Sequence, residues 1–283
     1  MAAGIFMLAV QPFHAGEAAA QGALRGTHAG REHHGHTSSP AGGSVGEASG
    51  TAPSAEAAAG DWQQTFRRLV DAGQPIYCGA GTKPIVALTF DDGPGPYTQE
   101  TIDLLRASGM TATFFTVGKL YSDPRFHGLL REEARFGAVG DHTWDHVSVT
   151  GMSRTQLAAQ IARTRHVAAA DSGQPVFLFR PPLGLHDRTV DVYVRSLGML
   201  DILWSVDSAD SQGATADRIF RTVRDHLSPG DIVLLHENRG TTQNALPRII
   251  RLIKARGYRT VTVPQLLRMD PPSGRQLRQH TCP

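Results

Sequence analysis

The sequence predicts an α/β domain with about seven parallel strands. Three observations predict it. Short apolar, β-branched runs alternate with stretches whose apolar residues recur at helical spacing. Each run is separated from the next by a crossover long enough for a helix, which parallel pairing requires. Polar residues able to do chemistry fall just past the ends of these runs, the edge at which α/β sheets and barrels carry their sites. An open doubly wound sheet and a barrel both satisfy the pattern.

Taken in order, residues 85–90 (IVALTF) form a buried strand stopped by Asp-Asp-Gly-Pro. Thr98 starts a helix with Ile102, Leu104 and Leu105 on its apolar face, and Gly109 ends it. Residues 112–117 (ATFFTV) are the second strand. A helical stretch over 126–136 leads into a short strand at 138–140. Ser153 caps a long helix with Leu157, Ile161, Thr164 and Ala168 on one face. Residues 176–179, 201–206 and 231–235 read as three further strands, with helices over 188–197 and 215–226 between them. The last helix runs over 244–255 and stops at Gly257. Residues 259–263 (RTVTV) are the seventh strand, followed by a final turn from Pro264. The first strand is not followed by a glycine-rich dinucleotide fingerprint, which argues against a Rossmann role.

Composition divides the chain of 283 residues. The first 60 residues contain 16 alanines and 11 glycines, too little side chain to offset the entropy of ordering. Residues 1–20 resemble a secretory signal, an apolar run (AAGIFMLAV) before a small-residue zone. Residues 21–61 read as a disordered Ala/Gly/His-rich linker. His33, His34 and His36 lie in it, but a flexible tract has nothing to fix imidazole orientation, so a weak metal scavenger is the most it supports. The ordered domain is expected over 62–283. The net charge of +2 gives no electrostatic footprint for nucleic acid. No apolar run reaches the ~18 residues a membrane span needs. Two cysteines, Cys78 and Cys282, lie near the ends of the domain, and in an exported chain a disulfide between them is as expected as two separate thiols.

The polar residues converge. Asp91 and Asp92 follow the first strand, His142 and His146 the third, Arg180 the fourth, and Asp207 and Asp210 the fifth, while His236 ends the sixth. His142 and His146 are four apart, so one helical turn would put both imidazoles on one face. With a carboxylate from Asp91 or Asp92 they form a two-nitrogen, one-oxygen set, the pattern of catalytic metal sites. Zinc is the first choice, and iron(II) or cobalt would accept the same donors. Two adjacent carboxylates repel each other unless a cation is present. A turn explains the Gly and Pro of Asp-Asp-Gly-Pro but not both acids. His236, on the same edge, can serve as general acid or base. Arg180 in FRPPLG can orient one aspartate and keep it ionised.

These motifs, TFDDGP (89–94), HTWDH (142–146), RPPLG (180–184), DSAD (207–210) and LLH (234–236), resemble in order and spacing those of the polysaccharide deacetylase family, the NodB-homology domain of carbohydrate esterase family 4. The resemblance covers residues 83–263. It implies a deformed (β/α) barrel and metal-dependent removal of N-acetyl groups from amino sugars. It implies that Asp92, His142 and His146 bind the metal, that Asp91 is the general base and that His236 is the general acid. It further implies that Arg180 holds Asp91, that Asp210 pairs with His236, and that the backbone N–H of Leu183 faces the oxyanion. The implied partner is an N-acetylated glycan such as chitin oligomers or peptidoglycan, met by a secreted or cell-envelope monomer. Two positions depart from the family pattern. Ser211 stands where a Trp usually ends the fourth motif, which implies a more open site, an altered substrate or reduced activity, and Leu183 replaces a Tyr, which removes an aromatic contact but keeps the backbone N–H. O-acetyl esters, a non-sugar amide, or carbohydrate binding without turnover are the competing readings.

Overall fold

The coordinates are a computed structural model, which describes residues 55–283. The expected signal segment, most of the expected linker and its histidines lie outside the described residues. The first helix, α1 (Ala55–Ala72), takes in the last residues of that linker. Eight parallel strands follow: β1 (Ile85–Gly93), β2 (Thr113–Thr116), β3 (Ala138–Asp141), β4 (Leu178–Phe179), β5 (Leu200–Asp201), β6 (Val206–Asp207), β7 (Ile232–His236) and β8 (Arg259–Thr260). Between and after them lie α2 (Thr98–Ala107), α3 (Leu129–Phe136), α4 (Arg154–Leu157), α5 (Arg163–Ser172), α6 (Arg188–Ser196), α7 (Ala216–His226), α8 (Gly240–Ala255), α9 (Val263–Met269) and α10 (Gly274–Gln279). The expected final turn from Pro264 is thus two helices, each started by a capping box, on Thr262 and on Ser273. Among the described residues no helix is long and apolar enough to cross a membrane.

The strand order is β5-β4-β3-β2-β1-β7-β6, with β8 paired to the start of β1. The single strand expected over 201–206 is two strands, on opposite edges of the sheet. Only residues 202–205 join them, and five residue steps reach about 18 Å at most. The two edges of the sheet must therefore curl towards each other. The barrel is closed there by chain connectivity rather than by a strand ladder, which is what deforms it. Sequence periodicity cannot show this break, because both halves are apolar.

Strand parity assigns the two faces. Val86, Leu88 and Phe90 pack outward with α2, α7 and α8, while Ile85 and Ala87 pack inward with Phe115, Leu178 and Ile232. Thr89 and Asp91 continue the inward set, so β1 aims a carboxylate into the barrel at its C-terminal end. The strand runs three residues beyond the expected stop, because Asp91 still pairs with Phe115 of β2 and His236 of β7. Ser153 caps its helix with a full capping box. Leu157, Ile161, Thr164 and Ala168 are buried as the spacing requires, although a π-turn (Ala158–Ala162) interrupts the helix. Cys78 and Cys282 are bridged, with Cα atoms 5.9 Å apart. Cross-linking positions 204 residues apart stabilises by about 5 kcal/mol in the chain-entropy view.

Candidate active site

The C-terminal rim of the barrel surrounds a cavity of about 380 Å³. Asp91, Asp92, His142, His146, Leu183, Asp207, Ser211 and His236 line it. Arg180 and Asp210 stand directly behind that lining, so the rim brings together all the polar residues expected just past the strand ends.

Arg180 is fully buried and spends its fork on four acceptors. One nitrogen donates to Asp91 Oδ1 (2.7 Å) and Thr89 Oγ1 (2.8 Å), and the others donate to the carbonyls of Ile202 (3.0 Å) and Leu203 (3.1 Å). The guanidinium also stacks 4.0 Å from the Phe115 ring centre. Asp91, 2 % exposed, is thus fixed in place with its second oxygen 3.6 Å from His142 Nε2.

His142 donates from Nδ1 to the Arg180 carbonyl at 2.7 Å. That bond selects the tautomer whose Nε2 lone pair faces the aspartates, the arrangement of a ligating imidazole. Burial, opposed by Asp91 and Asp92, lowers its pKa and favours the neutral ring. His146 Nε2 lies 3.0 Å from Asp92 Oδ1, and His142 Nε2 lies 3.7 Å from the same oxygen. The expected helical turn between the two histidines is absent. Residues 142–146 form a loop in which Thr143 and His146 take positive φ values of 65° and 57°. That loop, anchored by the His146 N–H on Thr143 Oγ1, puts the ring centres 5.0 Å apart.

Asp92 itself has φ 70°, an unusual conformation outside glycine that turns its side chain to the opposite face from the one strand alternation would give. Gly93 beside it is needed because a Cβ there would collide with the carboxyl of buried Glu237. Burial would raise the Asp92 carboxyl, but the nearby His146 and His142 outweigh it and hold it well below the usual carboxylate range. Its Oδ1 is buried without a hydrogen-bond donor, although the two imidazole nitrogens face it. A buried oxygen facing two imidazole nitrogens fits a divalent cation, and the three candidate donor atoms lie within 4.8 Å of one another.

Across the cavity, Asp210 Oδ1 accepts from His236 Nδ1 at 2.7 Å, and Oδ2 accepts from the His236 N–H (2.7 Å) and Thr242 Oγ1 (2.6 Å). Burial works against a charged His236 ring, but the hydrogen bond and charge of Asp210, with Asp91 and Asp92 beyond, push its pKa up to about 9. Leu183, 70 % exposed, sits at the rim with φ 62°. The N–H groups of Gly184 and Leu185 tie this turn back to Pro181 and Pro182.

Sequence reasoning missed Trp204, which lines the cavity and packs so closely on Gly184 that a Cβ there would strike the indole. It also missed Asn238, which donates to Asp92 Oδ2 at 3.2 Å, and Glu237, whose N–H donates to the Asp91 carbonyl at 3.2 Å. The nearest signal for both was their position directly after His236.

Fold and site together define a deformed (β/α) barrel with a cluster of two histidines and an aspartate on its C-terminal rim. A profile of the polysaccharide deacetylase family matches residues 79–201. A peptidoglycan-N-acetylglucosamine deacetylase of Bacillus cereus is 36% identical over 209 residues, which is 71% of this chain and 97% of that protein. The chain belongs to the polysaccharide deacetylase family. The peptidoglycan-N-acetylglucosamine deacetylase PgdA of Listeria monocytogenes is 33% identical over 190 residues, 66% of this chain, and the match spans only 40% of the PgdA length. A crystal structure of a peptidoglycan N-acetylglucosamine deacetylase bound to an N-hydroxybenzamide superposes with a TM-score of 0.66 at 28% identity, over 74% of this chain and 100% of that one.

Proposed function

We propose that this chain is a metal-dependent hydrolase that removes N-acetyl groups from a glycan of the cell envelope, with peptidoglycan as the first substrate to test. The observation that carries the reading is a pair of oppositely prepared groups facing one cavity. Asp91 is held as an acceptor by buried Arg180, and His236 is held protonated by Asp210. The similarity to peptidoglycan-N-acetylglucosamine deacetylases of Bacillus cereus and Listeria monocytogenes supports the choice of substrate. The disulfide supports an exported site of action.

An amide is a poor electrophile with a poor leaving group. A divalent ion held by Asp92, His142 and His146, zinc by preference, would polarise the carbonyl and acidify water. Asp91 takes the proton from the attacking water as its oxygen bonds to the acetyl carbon. The Leu183 N–H donates to the oxyanion that forms. His236 then gives its proton to the sugar nitrogen, the carbon–nitrogen bond breaks, and acetate and a free amine leave. Asp91 faces the cavity as an acceptor held by a guanidinium, while the Asp210 carboxylate keeps His236 protonated.

The test is acetate release from peptidoglycan, N-acetylglucosamine oligomers and acetylated xylan, with chelator and then with zinc or cobalt restored. Release from an N-acetylated glycan that stops with chelator and returns with metal is expected. Release from xylan alone would replace the reading with an O-acetyl esterase. No release from a folded, metal-loaded chain would overturn it in favour of a binding role or a non-sugar amide.

The pH profile has a defined sign. The folded pKa of His236 lies above its ordinary value of 6.5. The stabilisation from the His236–Asp210 pair is therefore complete below about pH 6.5 and is lost as pH rises through about 9. Asp210→Asn removes the charge that supports the imidazolium. The alkaline limb of kcat/KM is expected to move down by about one to three pH units. An unmoved limb would mean that His236 is not the group being titrated.

A further inference from the structure

We propose that His186, Asp191 and Asp201 form a second divalent-metal site, separate from the rim centre and independent of the catalytic reading above. Among the described residues, two groups of three His, Cys, Asp or Glu side chains bring one donor atom each within 4.8 Å, and this is the one outside the rim centre. His186 lies in the turn before α6, Asp191 in the first turn of that helix, and Asp201 ends β5 opposite Phe179. The three converge from a loop, a helix and a strand.

The observation that points to a ligand is Asp201. It is only 6 % exposed, and neither carboxylate oxygen has a hydrogen-bond donor. Buried carboxylates without a donor or a cation are rare because desolvation is uncompensated. No neighbouring cation satisfies this one. Arg180 is closest in charge, but its nitrogens are committed to Asp91, Thr89 and the carbonyls of Ile202 and Leu203. Arg195, on α6, reaches towards Asp71 instead (3.8 Å). Tyr77 adds no positive charge, and its hydroxyl pKa is raised by burial and then by Asp201 and Asp191, so the region is electronegative.

His186 Nδ1 and Asp191 Oδ1 are 2.9 Å apart, much as His146 and Asp92 are 3.0 Å apart in the rim centre. One imidazole and two carboxylates suit zinc or manganese(II). A cation there would tie α6 to the β5 edge, where the sheet has no further strand. Burial, with Asp191 nearby, raises the Asp201 carboxyl well above its usual range.

The test is metal stoichiometry of the full chain after equilibrium dialysis against Mn²⁺ and, separately, Zn²⁺. His142→Ala with His146→Ala removes the rim centre and is expected to leave one tightly held ion per chain. Adding Asp201→Asn to that background should remove this ion, with an affinity loss of about tenfold to a hundredfold or more. His186→Gln in the otherwise unchanged chain should lower the count from two to one, and this variant keeps the test open if the triple substitution does not fold. Mn²⁺ matters because the histidine-rich tract around His33, His34 and His36 favours zinc over manganese. Equal stoichiometry for the parent and the His186 and Asp201 variants, with both ions, would overturn the proposal. Because the readout is bound metal, that outcome leaves the deacetylase reading standing.

Discussion

Asp91→Asn is expected to lower kcat by about 10²–10⁴-fold, the range for loss of a general base, while metal content stays at the wild-type level. The side chain keeps its shape, and an amide oxygen can still accept from Arg180. What it loses is the ability to take a proton. Asp91 is also the farther carboxylate from His146, since it is Asp92 that lies 3.0 Å from that ring. Kinetics on peptidoglycan fragments with parallel metal analysis separate the two aspartates. If Asp91→Asn loses its metal and Asp92→Asn retains it, their roles are the reverse of those proposed.

Arg180→Met should be the most disruptive single change in the barrel. Arg180 and Asp91 are both buried, and the arginine bonds four acceptors, two on β1 and two in the segment after β5. Removing one partner of a buried ion pair leaves the other uncompensated and costs about 3–5 kcal/mol. For a domain of this size that corresponds to a fall in Tm of about 10 °C, measurable by thermal unfolding. Turnover should be lost at temperatures where the variant is still folded, because Asp91 is no longer aimed. A variant with wild-type Tm and activity would show that Asp91 does not depend on this guanidinium.

Much of this was legible along the chain because it is local. Apolar runs such as 85–90 and 231–235 announce buried parallel strands, and their polar residues must then emerge at one edge of the sheet. The motif residues Asp91, His142, Arg180 and His236 could be gathered by that argument without coordinates. The His142–His146 pair shows the limit of a spacing argument. Four residues suggested a helical turn, whereas two left-handed residues in a loop bring the rings together. Trp204 gave no signal, because an aromatic in an apolar stretch reads as core.

The sequence by itself determined the parallel α/β class, the rim at which the site lies and the residue types available there. It could do so because hydrophobic period and strand polarity are properties of short segments. Only the tertiary structure decided that residues 201–206 split across both edges of the sheet, that Cys78 meets Cys282, and that Asp201 is stranded beside His186 and Asp191. Each of these depends on how far a curled sheet carries distant segments towards one another, and no local pattern of side chains encodes that distance.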